Sequence, residues 1–408
     1  VKASLVVKRV ELTLGGPAAG GGFVGREADG RVVFVRHGLP GERVIAELTD
    51  EHPKWARADA VEILEASPDR VDPPCPYAGP GMCGGCDYQH IALPAQRELK
   101  RQLLVEQLRR VAKIEAAPIV EPLSDDETGL GSRTRVRFGV DENGALGMRR
   151  TRSHDLVNVD GCLLAVEEIQ ELEITDDEWP RGVDVQVFAL GEGPPTISFV
   201  RSTRDDASPV DGPDSSEDGI VYHETTVNGL SYRVSSDSFW QIHRNAPSVL
   251  VDAVLEGLDL SPGDKVLDLY CGAGLFTKAI AVAVGSTGRV TGVDSSPASV
   301  EDARVNLSEQ LWANVIFEQV SESIVDDNLV EVDAVVLDPP RNGCDKSALV
   351  ALAAAPWLKT IVSVSCDPAT FSRDARILLD HGWNLSSLRA FDLFEMTEHL
   401  ECVGVFRR

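Results

Sequence analysis

Residues 265–277, Lys-Val-Leu-Asp-Leu-Tyr-Cys-Gly-Ala-Gly-Leu-Phe-Thr, constrain this chain more tightly than any other stretch. Val266 to Leu269 is a short apolar run interrupted by Asp268, the pattern of a strand buried in a parallel sheet, and Gly272 and Gly274 then supply a tight turn into a helical repeat. Strand, glycine turn and helix in that order make a nucleotide cradle, because glycine lets the backbone approach a ligand closely. An acidic residue belongs about twenty positions further on, at the end of the next strand, to meet ribose hydroxyls. Asp294, in Val-Thr-Gly-Val-Asp, holds that place. Two more apolar runs close on polar motifs: Ala334–Leu337 on Asp338-Pro339-Pro340-Arg341, and Ile361–Val364 on Ser365-Cys366-Asp367-Pro368. Ligands of open α/β sheets bind at the carboxyl ends of the strands, so these motifs belong to one site.

From residue 262 the alternation is regular. Strands are expected at 265–270, 289–293, 315–318, 333–337, 360–365, 386–392 and 400–407, with helices at 275–284, 297–309, 346–354 and 369–380. That order predicts a doubly wound, Rossmann-like α/β sheet. The glycine turn lacks the third glycine of a dinucleotide fingerprint, with Thr277 and Lys278 following instead, which favours S-adenosyl-L-methionine over NAD.

Upstream, residues 1–67 read as an OB-like β-barrel. Short alternating runs at Leu5–Val10, Arg31–Val35, Arg43–Leu48 and Ala58–Leu64 are broken by a glycine-rich loop at 15–22 and Leu-Pro-Gly-Glu at 39–42. Residues 68–235 read as a central α+β insert, and 236–408 as the doubly wound domain. The insert opens with Cys75, Cys83 and Cys86 among glycines, and Cys162 is the natural fourth member of a thiolate set that suits zinc or an iron–sulfur cluster. A helical stretch at Leu93–Val111 carries Arg97, Lys100, Arg101, Arg109 and Arg110 on its polar face. Arg133, Arg135 and Arg137 alternate along a strand, with Arg149, Arg150 and Arg152 across the Asp141–Gly144 turn, a hairpin expected to face phosphates. This clustering stands out because the chain carries 39 Lys+Arg against 65 Asp+Glu, a net charge of −26 that argues against indiscriminate nucleic-acid binding. Ser202–Gly219, acidic and rich in Ser, Pro and Gly, reads as a linker. No run is long and apolar enough to span a membrane, and no signal peptide is evident, so the expected location is cytoplasmic and no membrane partner is expected.

Taken together, Asp-Leu-Tyr-Cys-Gly-Ala-Gly, Asp-Pro-Pro-Arg, Ser-Cys-Asp-Pro-Ala-Thr and the closing Phe-Asp-Leu-Phe…Thr-Glu-His-Leu-Glu-Cys resemble the RNA 5-methyluridine methyltransferase family. The family unites a tRNA enzyme and 23S ribosomal RNA enzymes, and the resemblance covers nearly the whole chain. It implies a class I methyltransferase sheet behind an N-terminal TRAM barrel, with RNA as partner, 23S rRNA more than tRNA, and no obligate protein partner. It makes Cys366 the nucleophile and Glu401 the general base. It assigns the methyl donor S-adenosyl-L-methionine to Gln241, Tyr270, Asp294 and Asp338, beside Gly272, Gly274 and Leu275 of the glycine turn. It also implies a 4Fe-4S cluster on Cys75, Cys83, Cys86 and Cys162, with zinc as the alternative.

The chemistry of uracil agrees. Its carbon 5 is too poor a nucleophile to attack a methyl sulfonium directly, and a thiolate adding to carbon 6 makes it an enolate carbon, after which a base must remove the carbon 5 proton. Amino-group methyltransferases carry an aromatic residue after Asp/Asn-Pro-Pro, where this chain has Arg341. Cytosine carbon-5 enzymes place a Cys directly after a Pro, where it has Pro340. A non-catalytic RNA-binding protein would carry a damaged Cys366 or Asp338 site, and both are present. Two positions depart from the family pattern: Leu275 stands where Asn is frequent, and Glu395 where Pro is usual.

Overall fold

The structure is a computed structural model that describes residues 8–123, 128–191, 193–201, 220–328 and 331–408. The strand expected from Leu5 begins outside the described residues, and the acidic stretch Ser202–Gly219 lies wholly outside them.

Strands β1 (Arg9–Thr13), β2 (Pro17–Ala18), β3 (Gly22–Arg26), β4 (Val32–Arg36), β5 (Arg43–Glu51) and β6 (Trp55–Glu65) form one sheet in the order β1-β5-β6-β4-β3-β2. Period-2 patterning drives it: Val44, Ala46 and Leu48 alternate into a core with Phe23, Val33 and Val35. The sheet rolls up. Just past β1 the Gly15 N–H donates to Val24 O at 2.8 Å, and the Val24 N–H to Gly16 O at 3.1 Å. The OB-like barrel is thus a rolled sheet joined by glycine backbone bonds, without a full ladder at the seam.

Helix α1 (Leu93–Gln107), continued by a π-helical turn at Leu108–Ala112, buries Gln96, Leu99, Lys100, Leu103 and Leu104. Lys100 therefore leaves the polar face expected of it. It is fully buried, 2.5 Å from Asp392 Oδ1, and also donates to Phe394 O at 2.9 Å. After β7 (Val120–Pro122), the second sheet has the order β10-β9-β8-β11-β12, from β8 (Arg135–Val140), β9 (Leu146–Arg149), β10 (Leu156–Asn158), β11 (Val183–Phe188) and β12 (Thr196–Arg201), with α2 (Glu167–Gln170) between β10 and β11.

The arginines of this sheet have partners within the protein. Arg135 donates to Ser236 O and Ser238 O and lies 4.3 Å over the Phe188 ring. Arg137 and Arg149 both engage the buried Asp184 carboxylate, at 2.7 and 2.8 Å. Burying Asp184 on β11 without cations would be costly, so the arginines opposite it compensate first.

A hairpin of β13 (Tyr222–Val227) and β14 (Leu230–Ser235), turning at Asn228-Gly229 with positive φ at both, leads into α3 (Ala246–Leu258). The large sheet follows: β15 (Lys265–Leu269), α4 (Leu275–Val284), β16 (Arg289–Asp294), α5 (Pro297–Asn306), β17 (Ala313–Phe317), α6 (Glu322–Asn328), β18 (Ala334–Leu337), α7 (Lys346–Ala354), β19 (Thr360–Ser365), α8 (Pro368–Asp380), β20 (Asn384–Asp392) and β21 (Glu401–Arg407). Its strand order is β17-β16-β15-β18-β19-β21-β20-β7, parallel through β19 with β21 antiparallel beside it. Cores on both faces make it doubly wound. Among the described residues no helix is long and apolar enough to cross a membrane.

Candidate active site

Strand register places the site. Leu269 of β15 is paired with Val293 of β16 and with Leu337 of β18, so Tyr270, Asp294 and Asp338 stand at the carboxyl ends of three adjacent strands. In the antiparallel ladder of β19 and β21, Ser365 pairs with Cys402. Cys366 directly follows the last residue of β19 and Glu401 is the first of β21, so two residues 35 positions apart come to the same end of the ladder, near enough for Glu401 to act on the Cys366 thiol.

All of them border one cavity of about 1230 Å³, together with Phe239, Gln241, Gly272 and Phe394. Gln241 reaches it from the segment before α3, held in place where Thr134 N–H and Oγ1 donate to Ile242 O at 2.7 and 3.0 Å. Asp294 Oδ2 accepts from the Gly272 N–H at 2.9 Å and Oδ1 from the Ser296 N–H at 2.8 Å, which fixes the carboxylate at the rim of the glycine turn. Tyr270, at φ 65°, has its hydroxyl accept from the Asp345 N–H at 3.0 Å. Gly274 and Leu275 are not among the lining residues. A Cβ on Gly274 (φ 83°) would come within 3.2 Å of Ala303 Cβ, and the Leu275 side chain is buried in the core. Their part is to start α4 tightly against α5.

Electrostatically the floor of the cavity is crowded with acids. The Asp338 carboxyl is pushed up to about 7 by desolvation and by Asp294. Glu401, 3% exposed, is raised well above the carboxylate range by desolvation and then by Asp338, with Arg341 opposing. The Cys366 thiol is pushed up to about 12, first by desolvation, then by Glu401, while Arg341 pulls it down. Burial and the neighbouring acids therefore favour the neutral Cys366 thiol and disfavour charging both carboxyls of the Asp338–Glu401 pair.

The loop between β20 and β21 delivers Glu401 and is tied down on every side. The Met396 N–H donates to Gln96 Oε1 at 3.0 Å and Met396 O accepts from the Asp87 and Tyr88 N–H groups at 2.9 Å, which sustains φ 63° at Met396. The Gly20 N–H donates to both Glu398 oxygens, at 2.9 and 2.7 Å. Glu395, in the place of the usual Pro, has a partner that sequence reading missed. The Asn245 N–H donates to His243 Nδ1 at 3.1 Å, so Nε2 carries the proton and donates to Glu395 Oε1 at 3.2 Å. The pair joins the Glu401 loop to the segment bearing Gln241. Arg341, Lys346, Arg373 and Arg376 at the cavity mouth were also missed as lining residues; the i, i+3 spacing on α8 was the available signal for the last two.

The four cysteines of the insert are gathered in one neighbourhood. Burial raises the Cys75, Cys83 and Cys86 thiols, Cys86 to about 12, and Cys162 raises each further. The Gly85 N–H donates to Cys83 Sγ at 3.4 Å, and Gln89 Nε2 to Cys86 Sγ at 3.2 Å while Gln89 Oε1 accepts from the Cys75 N–H at 3.0 Å. Among the described residues no group of three or more His, Cys, Asp or Glu is arranged to hold a metal ion.

Comparison with known proteins fits this geometry. Residues 218–408 match the tRNA (Uracil-5-)-methyltransferase family model, and residues 3–61 the TRAM domain. The chain is 40% identical to an uncharacterized RNA methyltransferase of Streptomyces coelicolor, over 98% of this chain and 93% of that one. It is 32% identical to the 23S rRNA (uracil(1939)-C(5))-methyltransferase RlmD of Chromohalobacter salexigens, over 94% of this chain and 86% of that one. In fold it is similar to the Pyrococcus abyssi tRNA (uracil-54, C5)-methyltransferase crystallised with S-adenosyl-L-homocysteine, with TM-score 0.69, 22% identity and coverage of 98% of this chain and 100% of the other. With the strand-end row of Tyr270, Asp294, Asp338 and Cys366 facing one cavity, this chain belongs to the RNA (uracil-5-)-methyltransferase family, S-adenosyl-L-methionine-dependent enzymes.

Proposed function

We propose that this enzyme makes 5-methyluridine in 23S rRNA, with Cys366 as nucleophile and Glu401 as general base. The observation that carries the reading is that Cys366 and Glu401 come together at the end of the β19–β21 ladder and both line the large cavity. The 23S rRNA relative that covers nearly the whole chain favours that substrate. A tRNA uridine is the second reading, favoured by the tRNA family model.

The cavity fits a methyl donor of adenosine type. The Gly272 turn and Asp294 would hold its ribose side, and Gln241, Tyr270 and Asp338 the end nearer Cys366. Bound there, S-adenosyl-L-methionine supplies an electrophilic methyl group. As uracil docks the Cys366 thiol gives its proton to solvent, the sulfur bonds to carbon 6, and the C5=C6 electron pair moves into an enolate on the carbon 4 carbonyl, which makes carbon 5 nucleophilic. Once carbon 5 carries the methyl, Glu401 takes its proton, the C5=C6 double bond re-forms and the C6–S bond breaks. Phe239, exposed at the rim, and Phe394 offer faces on which an unstacked uridine can rest.

Both reacting groups sit above their ordinary pKa, so the competent form, thiolate and free carboxylate, gains as pH rises. kcat/KM is expected to keep rising as pH is raised through neutrality into the alkaline range. A flat profile at saturating donor would contradict the assigned roles.

Cys75, Cys83, Cys86 and Cys162 would hold a 4Fe-4S cluster. Zinc, which takes four thiolates on one ion, is the alternative. The N–H donors on Cys83 and Cys86 sulfur suit thiolate ligands. The role is structural. The Gly84 N–H donates to Arg149 O at 2.9 Å, and Asp87 and Tyr88 hold Met396, so the cysteine segment braces both the hairpin and the Glu401 loop. Anaerobic purification is expected to give about four irons and four sulfides per chain; stoichiometric zinc without sulfide would contradict this.

The substrate is tested by incubating the protein with labelled donor and unmodified 23S rRNA or tRNA transcripts. Incorporation into one 23S site supports the proposal, and incorporation into tRNA alone overturns the choice of substrate.

A further inference from the structure

The turn at Ser235–Ser238 carries the chain out of β14, and Phe239 and Gln241, both at the cavity wall, follow it directly. Gln241 is steadied by the two bonds from Thr134 to its neighbour Ile242. Trp240 turns inward, 4% exposed, with its ring 5.5 Å from that of Tyr232. Phe239 is 59% exposed, so the direction of its ring is set more by the backbone beneath it than by packing.

That backbone is gripped from two sides. Asp302, 1% exposed on α5, accepts on one oxygen from the Ser235 N–H at 2.7 Å and from the Ser238 hydroxyl at 2.5 Å, and on the other from Arg233 at 3.2 Å. From β8 and β11, Arg135 donates to Ser236 O and Ser238 O, each at 3.1 Å, and Gln186 to Ser236 O at 3.3 Å. A buried carboxylate with three donors is a fixed point, because shifting any of them leaves a polar group without a partner away from water.

The same face of α5 reaches the glycine turn, since residues four apart lie one above the other on a helix. Asn306 accepts from the Arg233 N–H at 2.7 Å and donates to Arg233 O and to Ala273 O, both at 2.9 Å. Ala273 stands between Gly272 and Gly274. Just beyond them the Tyr232 hydroxyl donates to Leu275 O at 3.0 Å. Helix α5 also begins beside Asp294, whose Oδ1 accepts from the Ser296 N–H. It therefore connects the ribose carboxylate, the glycine turn and the base of Phe239. Methyl transfer needs carbon 5 aligned with the donor methyl group, and a misplacement of about 1 Å costs on the order of 100-fold in rate.

We propose that Asp302 and Ser238 are positioning residues for Phe239, holding its ring in fixed relation to the turn that binds the methyl donor. This rests on the reading that Phe239 takes the face of the target uridine.

The test measures methylation of the transcript that the parent protein accepts, 23S rRNA or tRNA, at saturating labelled donor. The parent is compared with Ser238→Ala, Phe239→Ala and the double variant. Ser238→Ala is expected to lower kcat/KM for the RNA about 10-fold, the size of one lost hydrogen bond to a charged group. Phe239→Ala should lower it about 10- to 100-fold, as for one lost base stack. The double variant should match Phe239→Ala, because the brace does nothing once the ring it holds is gone. Affinity for S-adenosyl-L-homocysteine should stay within about twofold throughout. Asp302→Asn, which keeps the shape and weakens the acceptor, should act in the same direction as Ser238→Ala. Losses that multiply in the double variant, or unchanged kinetics in both Ser238→Ala and Asp302→Asn, would overturn the brace. A loss of S-adenosyl-L-homocysteine affinity as large as the loss in kcat/KM would also overturn it and assign the network to the donor site alone. A parent protein that methylates neither RNA would overturn the reading of function itself, and the brace with it.

Discussion

Replacing Glu401 with Gln is expected to trap the enzyme on its RNA. Cys366 stays able to add to carbon 6 and carbon 5 to receive the methyl, but the carbon 5 proton has no acceptor, so the C6–S bond persists. Turnover should fall by about 10²- to 10⁴-fold, the range for loss of a general base. A protein–RNA species stable to denaturing electrophoresis should accumulate, one methyl group per complex. Gln preserves size at a buried position that faces Asp338, and it removes a carboxyl whose ionisation there is unfavourable. The variant should therefore fold. Near-parental turnover with no adduct would remove Glu401 from the mechanism and direct attention to Glu398, which the Gly20 N–H holds further up the same loop.

Cys366→Ala is the complementary case. Without the sulfur, carbon 5 is never activated, and turnover should drop by on the order of 10³-fold or more, as for loss of a nucleophile. No adduct should form with any RNA. The side chain is small and half-buried at a strand end, and neither Asp294 nor the Gly272 turn depends on it, so affinity for S-adenosyl-L-homocysteine should remain within about twofold. Glu401→Gln/Cys366→Ala should behave as Cys366→Ala, because the base acts only after the adduct exists. Retained methylation in Cys366→Ala would mean that carbon 5 is activated in some other way.

Much of this site was legible in the chain because the signals are local. A glycine turn after an apolar run, and polar motifs that close later runs, fix Tyr270, Asp294, Asp338 and Cys366 at strand ends whatever the tertiary detail. What escaped depends on partners distant in sequence. The charge of Lys100 gave no hint that Asp392, 292 residues away, would bury it. The alternation of Arg135 and Arg137 matches a solvent-facing ladder until Asp184 appears on the neighbouring strand. Helix α6 went unread because Glu-Ser-Ile-Val-Asp-Asp-Asn offers a single buried side chain, Val325. Strand β7 is three residues long, and its parallel pairing with β20 is specified only by the folded sheet. Glu395 stood out only as a departure from the family pattern and His243 not at all, and only the crossing of two loops makes them a pair.

The central claim, that this chain forms 5-methyluridine in RNA through Cys366, is tested most directly by mass mapping of 5-methyluridine in 23S rRNA and total tRNA. Cells carrying the intact chain are compared with cells carrying Cys366→Ala. The expected result is the loss of one methyl group from a single 23S rRNA uridine, with tRNA unchanged. Identical 5-methyluridine in both RNAs from both cells would contradict the account.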